Sequence, residues 1–442
     1  MPLVSRRLML GGTAALAVTA TLAACSHDSS GADSDGDVYF LNFKPESEQA
    51  FKEIATAYKD KTGVNVKVVT AASGNYEQTL KAEVAKSNPP TLFNINGPVG
   101  YANWAGYASD LSDTEFAKQV TDDKLVLKAD DKVVGVPLGI EGYGIIYNAA
   151  ILRKYFALPG AKATKVDEIK GFDKLKDVVE DMQAKKADLG IEGVFAATSL
   201  APGEEWRWHS HLASYPLFYE YRDDQVDNLD VIKLTYSENY KQIFDLYLSN
   251  STVPASRTSA KTVTDSMADF ALGKAAMVQN GNWAWSQISE VEGNTVQAED
   301  VHFLPIYIGV SGEDKAGIAI GTENYLTINS QASEEARKAT QDFLTWLFAD
   351  PEGSALAAEK LSTIAPYKAY TDLKPSDPLG KEVASFMERS ELYPVTWAFA
   401  TLPSLEFKNQ LGQHLSQYAS GKEDWSKVEH YFVTQWATEK ES

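Results

Sequence analysis

Apolar residues recur along this chain with two periods, and the switching between them outlines its architecture. Residues 38–43 form a short apolar run that reads as a strand. Phe51, Ile54, Ala55 and Tyr58 follow at i, i+3, i+4 and i+7, which places four side chains on one face of a helix. Gly63 predicts the end of that helix, since glycine tolerates the left-handed turn that stops one. Val64, Val66 and Val68 alternate as a second strand, and Tyr76, Leu80 and Val84 mark a second helix. Asn88-Pro89-Pro90 stops it, because proline removes a backbone donor and clashes with the preceding turn. Residues 91–95 then read as a third strand. The β-α-β-α-β rhythm predicts a parallel sheet covered by helices, an α/β fold.

Further along, residues 133–140 and 145–147 read as strands joined by Glu141-Gly142-Tyr143-Gly144. Two glycines around a tyrosine suit a segment that crosses between lobes and bends there, with a tight turn as the other reading. Phe172, Leu175, Val179 and Met182 give one helix, and Tyr240, Ile243, Phe244, Tyr247 and Leu248 another. A helix carrying Met267 and Phe270 is expected to end at Gly273. Residues 275–278 follow as a buried strand, which Asn280-Gly281 is expected to break because both residues accept positive φ. Residues 301–309 read as a strand, and residues 317–328 as one glycine-flanked strand with an acid, an amide and an aromatic in its middle. Ala336, Ala339, Phe343, Trp346 and Leu347 make a helix. Asp350-Pro351 starts the next, with aspartate as cap and proline at the first position. The C-terminal part looks helical, interrupted by Tyr393-Pro394-Val395-Thr396-Trp397.

The strand ends repeatedly release polar and aromatic residues together. Asn42, Lys44 and Glu46 follow the first strand, Asn96 with Tyr101 and Trp104 the third, and Asn282, Trp283 and Trp285 the strand at 275–278. Open α/β sheets hold ligands at such ends. Residues 204–221 crowd Trp206, Trp208, Tyr215, Phe218, Tyr219 and Tyr221 together with His209 and His211. A pyranose ring has apolar faces and a hydroxyl rim: aromatic rings bury the faces, while amides, carboxylates and imidazoles satisfy the rim. About half of these rings are expected to serve packing alone. The candidate ligand contacts are Lys44, Glu46, Asn96, Glu141, Trp206, Trp208, His211, Asn282, Trp283, Glu323, Asn324 and Tyr325. If the segment after Asn282 is extended, Trp283 and Trp285 share one face. Trp283 is then assigned to the ligand and Trp285 to packing.

Composition and charge narrow the class. The chain has 442 residues, 44% apolar and 11% aromatic, enough to bury the cores of two or three domains. A formal net charge of −20 excludes nucleic acid or anionic lipid as a partner of the general surface. Arg6 and Arg7 precede an apolar stretch from Leu8 to Ala20, and Leu22-Ala23-Ala24-Cys25 closes it. These are the proportions of a secretory signal over residues 1–24, too short and weakly apolar for a permanent span. The surroundings of Arg6 and Arg7 leave both the general and the twin-arginine export routes open. Residues 26–37 carry almost no apolar side chain and read as a flexible tether. Cys25 is the only cysteine, so the chain can form no internal disulfide and no cysteine cluster for a metal.

Enzyme signatures are scarce. There is no G-x-S-x-G elbow, P-loop or dinucleotide glycine pattern, and no cofactor is expected. His209 and His211 could sit on one strand face as metal ligands, but no third ligand stands at a convincing spacing, so no metal is expected. Glu141 and Glu323 are the only pair in apolar surroundings that would suit glycoside hydrolysis. A carboxylate accepting from two sugar hydroxyls fits those positions equally, and the tether favours binding over turnover.

Four stretches carry a resemblance to a known family: Leu22–Cys25, which resembles the lipobox of bacterial lipoproteins; G-V-P-L-G-I-E-G-Y-G-I-I-Y-N at 135–148; A-L-G-K-A-A-M-V-Q-N-G-N-W-A-W at 271–285; and G-T-E-N-Y-L-T-I-N at 321–329 with its following helix and Asp350-Pro351. Together, in this order, they resemble the extracellular sugar-binding lipoproteins of bacterial ABC importers, the family related to maltose-binding protein, over roughly residues 37–440. The resemblance implies a two-lobed α/β fold with discontinuous lobes, 38–142 plus 320–362 and 145–316 plus 366–442. Chain crossings are expected near 141–147, 317–325 and 362–367. It further implies a monomer anchored through lipid on Cys25 to the outer face of the cell membrane. Such a protein closes on a neutral oligosaccharide and passes it to the importer's permease subunits, with a separate ATPase driving transport. Residues 204–221 look most like the branch that includes binders of raffinose-type α-galactosides. The alternatives are the same architecture serving a polyamine, phosphoester or peptide, and a secreted glycosidase.

Overall fold

The computed structural model describes residues 36–72 and 74–441. The signal segment, Cys25 and the tether up to residue 35 lie outside these. The strands are β1 (Val38–Asn42), β2 (Val66–Thr70), β3 (Leu92–Asn96), β4 (Leu127–Ala129), β5 (Lys132–Pro137), β6 (Glu141–Asn148), β7 (Gly193–Phe195), β8 (Ala275–Gly281), β9 (Val301–Leu304), β10 (Ala316–Gly321), β11 (Asn324–Ile328) and β12 (Tyr393–Val395). They form two six-stranded sheets. The first runs β2-β1-β3-β11-β5-β4 and the second β12-β10-β6-β8-β7, with β9 paired to the far half of β6.

The first sheet begins as the rhythm predicts. Strands β1, β2 and β3 pair in parallel. The helix Glu48–Thr62 buries Phe51, Ile54, Ala55 and Tyr58 against them and ends at Gly63, whose φ is 80°. Strand β11 arrives from late in the chain and inserts antiparallel between β3 and β5, with Tyr325 opposite Ile95 on one side and Pro137 on the other. The helices Glu334–Ala349 and Pro351–Leu361 close the outer face. Asp350 caps the second of these by accepting from the backbone N–H groups of Glu352 and Gly353. The second sheet is mostly antiparallel around β6, which pairs with β8, β9 and β10. Its core runs from Tyr143, Ile145 and Met277 to Phe432 and Trp436.

Several expectations are corrected by these pairings. Glu141-Gly142-Tyr143-Gly144 is not a bend but the first half of β6, paired with both β8 and β10. The chain crosses one step earlier, over residues 138–140. The run 317–328 is two strands in different sheets, parted at Thr322-Glu323. Asn280-Gly281 does not break β8, because both residues pair with β6 across from Gly144 and Tyr143. The break falls at Asn282, and the segment after it is a short helix, Ala284–Ser289, rather than extended. A third passage was expected at 362–367. Ile364 does bridge to Ile140, but Ala365, Tyr367 and Tyr370 still pack in the first core. Leu379 and Val383 are the first residues beyond them in the core of the second sheet.

The two halves meet across a gap. The helix Gly97–Trp104 on the first side packs against the turn Ala398–Thr401 on the second. On the rim, a Cβ added to Gly74 would lie 3.0 Å from the carbonyl oxygen of Gly203. Between the halves is a cavity of about 150 Å³.

Gly144 is the tightest test of this packing. A Cβ there would come within 2.6 Å of the Leu304 carbonyl oxygen on β9, a backbone atom that cannot swing aside. We expect Gly144→Ala to lower the unfolding free energy by roughly 1–3 kcal/mol, measured by denaturant titration.

Candidate functional site

The cavity is lined from both sides, by Lys44, Glu46 and Asn324 of the first half and by Asn282, Trp283 and Trp285 of the second, with Glu141 between. Its first wall is built on asparagines. The Asn42 side chain clamps the backbone of Lys44, donating to its carbonyl at 2.7 Å and accepting from its N–H at 3.0 Å. Asn94 donates to Asn324, which in turn donates to Asn96 at 3.2 Å. Asn96 and Asn324 thus spend polar capacity on each other, tying the C-terminal end of β3 to the start of β11. The clamp aims Lys44 across the gap. Its ammonium lies 2.5 Å from Glu141 and 3.5 Å from Glu46, and 5.6 Å above the centre of the Trp283 ring. Burial pushes the Lys44 ammonium down, but the two carboxylates outweigh it and hold the group above its ordinary range.

The second wall is aromatic, and glycines make it so. The Trp283 indole lies directly over Gly281, where a Cβ would come within 2.2 Å of the ring. Trp397 covers Gly321 in the same way, at 2.7 Å. Between them His211 stacks face to face on Tyr143, with ring centres 4.1 Å apart and planes 7° apart. Gly281 and Tyr143 are opposite one another in the β8–β6 pairing, and Gly321 faces Glu141 in the β10–β6 pairing. Three neighbouring strand ends therefore each carry a ring. Trp206 extends the wall, edge-on to His211 at 4.9 Å and 6.0 Å from Trp283. Four buried nitrogens here have no hydrogen-bond partner: Nε1 of Trp283, Nε1 of Trp397, Nη1 of Arg207 and Nδ1 of His211.

A second ion pair ties the wall to the crossing between β10 and β11. The Lys408 ammonium lies 3.7 Å from Glu323, and the Glu323 carbonyl accepts from the Gly97 N–H at 2.8 Å. Burial, opposed by Lys408, holds the Glu323 carboxyl above the usual range. Lys408 reaches this point because Gly412, one turn along the helix Leu405–Ala419, lets that helix close on Glu205 and His209.

The structure thus brings Lys44, Glu46, Glu141, Trp206, His211, Asn282, Trp283, Glu323 and Asn324 to the cleft or its margin. Asn282 is largely engaged, accepting from the Gly142 N–H and donating its own N–H to the Gly142 carbonyl, both at 3.0 Å. Trp208 lies elsewhere, in the core of the second half, with its indole donating to the Ser199 carbonyl at 2.9 Å. Tyr325 is buried in the first half against Val134 and Leu127. Trp285 lines the cavity beside Trp283. His209 and His211 sit on a π-helical turn, Arg207–Leu212, not on a strand, and His209 Nδ1 pairs with the Ser210 hydroxyl at 2.9 Å. Among the described residues no cluster of three or more His, Cys, Asp or Glu could hold a metal. Trp397 and Lys408 were not anticipated. Trp397 obeys the strand-end rule, but its strand is three residues long and contains a proline. Lys408 is a lysine in the first turn of its helix, with no sequence signal of a site.

Two α/β halves, with rings from one and charged groups from both converging on the gap between them, define a two-lobed binding protein. The chain belongs to the family of bacterial extracellular solute-binding proteins, which residues 53–384 match. It is an extracytoplasmic protein, and among its described residues no helix is long and apolar enough to cross a membrane. Solved structures with the same fold include a chitin oligosaccharide binding protein (18% identity, TM-score 0.72, covering 92% of this chain and 99% of that one). The solute-binding protein RafE in complex with raffinose is also similar (18%, 0.69, 91% and 99%). So is the GacH receptor of Streptomyces glaucescens, solved unliganded and with acarbose (17%, 0.66, 92% and 99%). No curated protein matches the chain by sequence.

The buried histidines set a pH dependence. Burial and the nearby Lys408 push His209 down to about 3, and burial with Arg207 pushes His211 well below its ordinary value. A histidine depressed in the folded state stabilises fully above its unfolded value of about 6.5, and that contribution is lost as pH falls below it. We expect His209→Gln to lose about 2 kcal/mol less stability than the wild type between pH 7 and pH 5. Denaturant titrations at the two pH values check this.

Proposed function

We propose that this protein captures a neutral oligosaccharide in the cleft and delivers it, without chemistry, to the permease subunits of an ABC importer. The observation that carries the reading is the pairing of ring faces with unpartnered donors. The rings of Trp283, His211 and Trp397 lie over adjacent strand ends, and buried N–H groups beside them have no acceptor. A pyranose offers both an apolar face for stacking and hydroxyl oxygens for those donors. A chitin oligosaccharide binding protein, a raffinose complex and an acarbose complex among the similar folds support a saccharide, and a raffinose-type α-galactoside is one candidate. In this reading Lys44, Glu46, Glu141, Trp206, His211, Asn282, Trp283, Glu323 and Asn324 form the ligand site, joined by Trp397. The lobes, expected as 38–142 plus 320–362 and 145–316 plus 366–442, have their bounds moved to the crossings at 138–140 and Thr322-Glu323 and past Tyr370, and hinge about those crossings.

Contacts that exist only when both lobes meet the ligand shift the population to the closed form, and the permease takes up that form. Acylation of Cys25 holds the monomer on the outer face of the membrane. A polyamine is less well served, because the carboxylates of Glu46 and Glu141 already share the Lys44 ammonium as partner. Glu141 and Glu323 act as acceptors for sugar hydroxyls rather than as a hydrolytic pair.

A thermal-shift panel of di-, tri- and tetrasaccharides tests the ligand class, since a ligand of the folded state raises the melting temperature by mass action. Calorimetry on Trp283→Ala then tests the site. We expect the affinity for the best saccharide to fall by at least about 1 kcal/mol, the scale of one stacked ring. An unchanged affinity removes Trp283 from the site. Binding of only a peptide or polyamine, or hydrolysis of the saccharide at enzyme-like rates, overturns the reading.

A further inference from the structure

Arg207 is a buried cation with little to hold it. The residue is 2% exposed, and among the described residues no carboxylate forms an ion pair with it. Its Nε makes one long bond, 3.4 Å, to Asn280 Oδ1, and its Nη1 has no partner. The guanidinium lies flat on Trp206, 3.7 Å from the ring centre, and Trp206 in turn abuts Trp283 in the cavity wall. Glu204 of its own side and Glu46 across the gap act on it only at a distance, and Glu204 is engaged by the Val263 N–H at 2.7 Å.

A cation taken out of water without a partner is costly, and a side chain needed only to fill the space would be apolar. Trp283 and Trp397 add two more donors with no acceptor, and indole and guanidinium groups donate only. This wall is therefore a donor surface, while the acceptors of the site, Glu46, Glu141 and Glu323, stand across the gap and at the crossings. We propose that Arg207, held flat by Trp206, is a specificity-determining residue of the cleft that donates to oxygen atoms of the bound saccharide unit beside Trp283. The inference rests on the oligosaccharide reading and names the polarity of its recognition: the aromatic wall gives hydrogens, and the carboxylates of Glu46, Glu141 and Glu323 receive them. The guanidinium fork suits two adjacent oxygens on one sugar ring.

The test compares the wild type with Arg207→Met, of similar length but without charge or donors, and with Arg207→Gln. Calorimetry uses raffinose, stachyose, maltotriose and triacetylchitotriose, and melting is followed without sugar. We expect both variants to bind the tightest of the four roughly tenfold to a hundredfold more weakly. Their ligand-free melting temperatures should equal or exceed that of the wild type, which a structural arginine would not allow. Equal affinity, a lowered ligand-free melting temperature, or failure of both variants to fold overturns the inference while leaving the oligosaccharide reading intact. A wild type that binds none of the four sugars sinks both.

Discussion

The antiparallel pairing of β6 with β8 on one side and β10 on the other is the constraint on which the cleft depends. It sets three strand ends side by side, and glycines at 281 and 321 leave bare backbone on the outer two. Trp283 and Trp397 lie down on that backbone, and the central strand presents Tyr143 as the floor for His211. A methyl group at either glycine would occupy the space of an indole. The aromatic wall is therefore a property of backbone geometry first and of the rings second.

Charge couples this wall to the opposite lobe. Lys44 reaches from the end of β1 to Glu141 at the start of β6, and Lys408 reaches from the second lobe to Glu323 at the β10–β11 crossing. Partly buried pairs of this kind lose much of their attraction to desolvation, so their worth is less in net stability than in fixing geometry. They hold the carboxylates of the crossings in place, where a ligand bound between the lobes would meet them. Arg207 has no such partner, and neither do the indole nitrogens. A site that keeps donors unpaired gives up stability for recognition, a common trade at functional positions.

Most elements were legible because their burial is one-sided. Phe51, Ile54, Ala55 and Tyr58 sit on one face of a helix and nowhere else, and Asp350-Pro351 carries its own capping chemistry. Fully buried segments were harder. Residues 317–328 read as one strand because both halves are buried on both faces, and nothing in their period reports that they belong to different sheets. Gly281 suggested a turn, yet it is needed for the close approach of Trp283 within a strand. At the cavity, the rule that strand ends carry polar and aromatic residues led to Lys44, Glu46, Asn282 and Trp283, and the apolar surroundings of Glu141 led to that residue. The rule could not separate Trp206, which packs beside Trp283 and His211 at the cavity's margin, from Trp208, two residues on, which fills the core, because the π-helical turn beginning at Arg207 sets which way each indole points. Lys408 depends on tertiary packing of a helix more than eighty residues from its partner in sequence.

The most direct measurement is a crystal structure of the protein with its tightest saccharide bound. The account predicts a sugar ring flat on Trp283, with hydroxyl oxygens accepting from Nε1 of Trp397 and Nη1 of Arg207 and hydroxyl hydrogens given to Glu141 or Glu46. A saccharide bound away from these strand ends, or one in the cleft that leaves all of those nitrogens unpartnered, would contradict it.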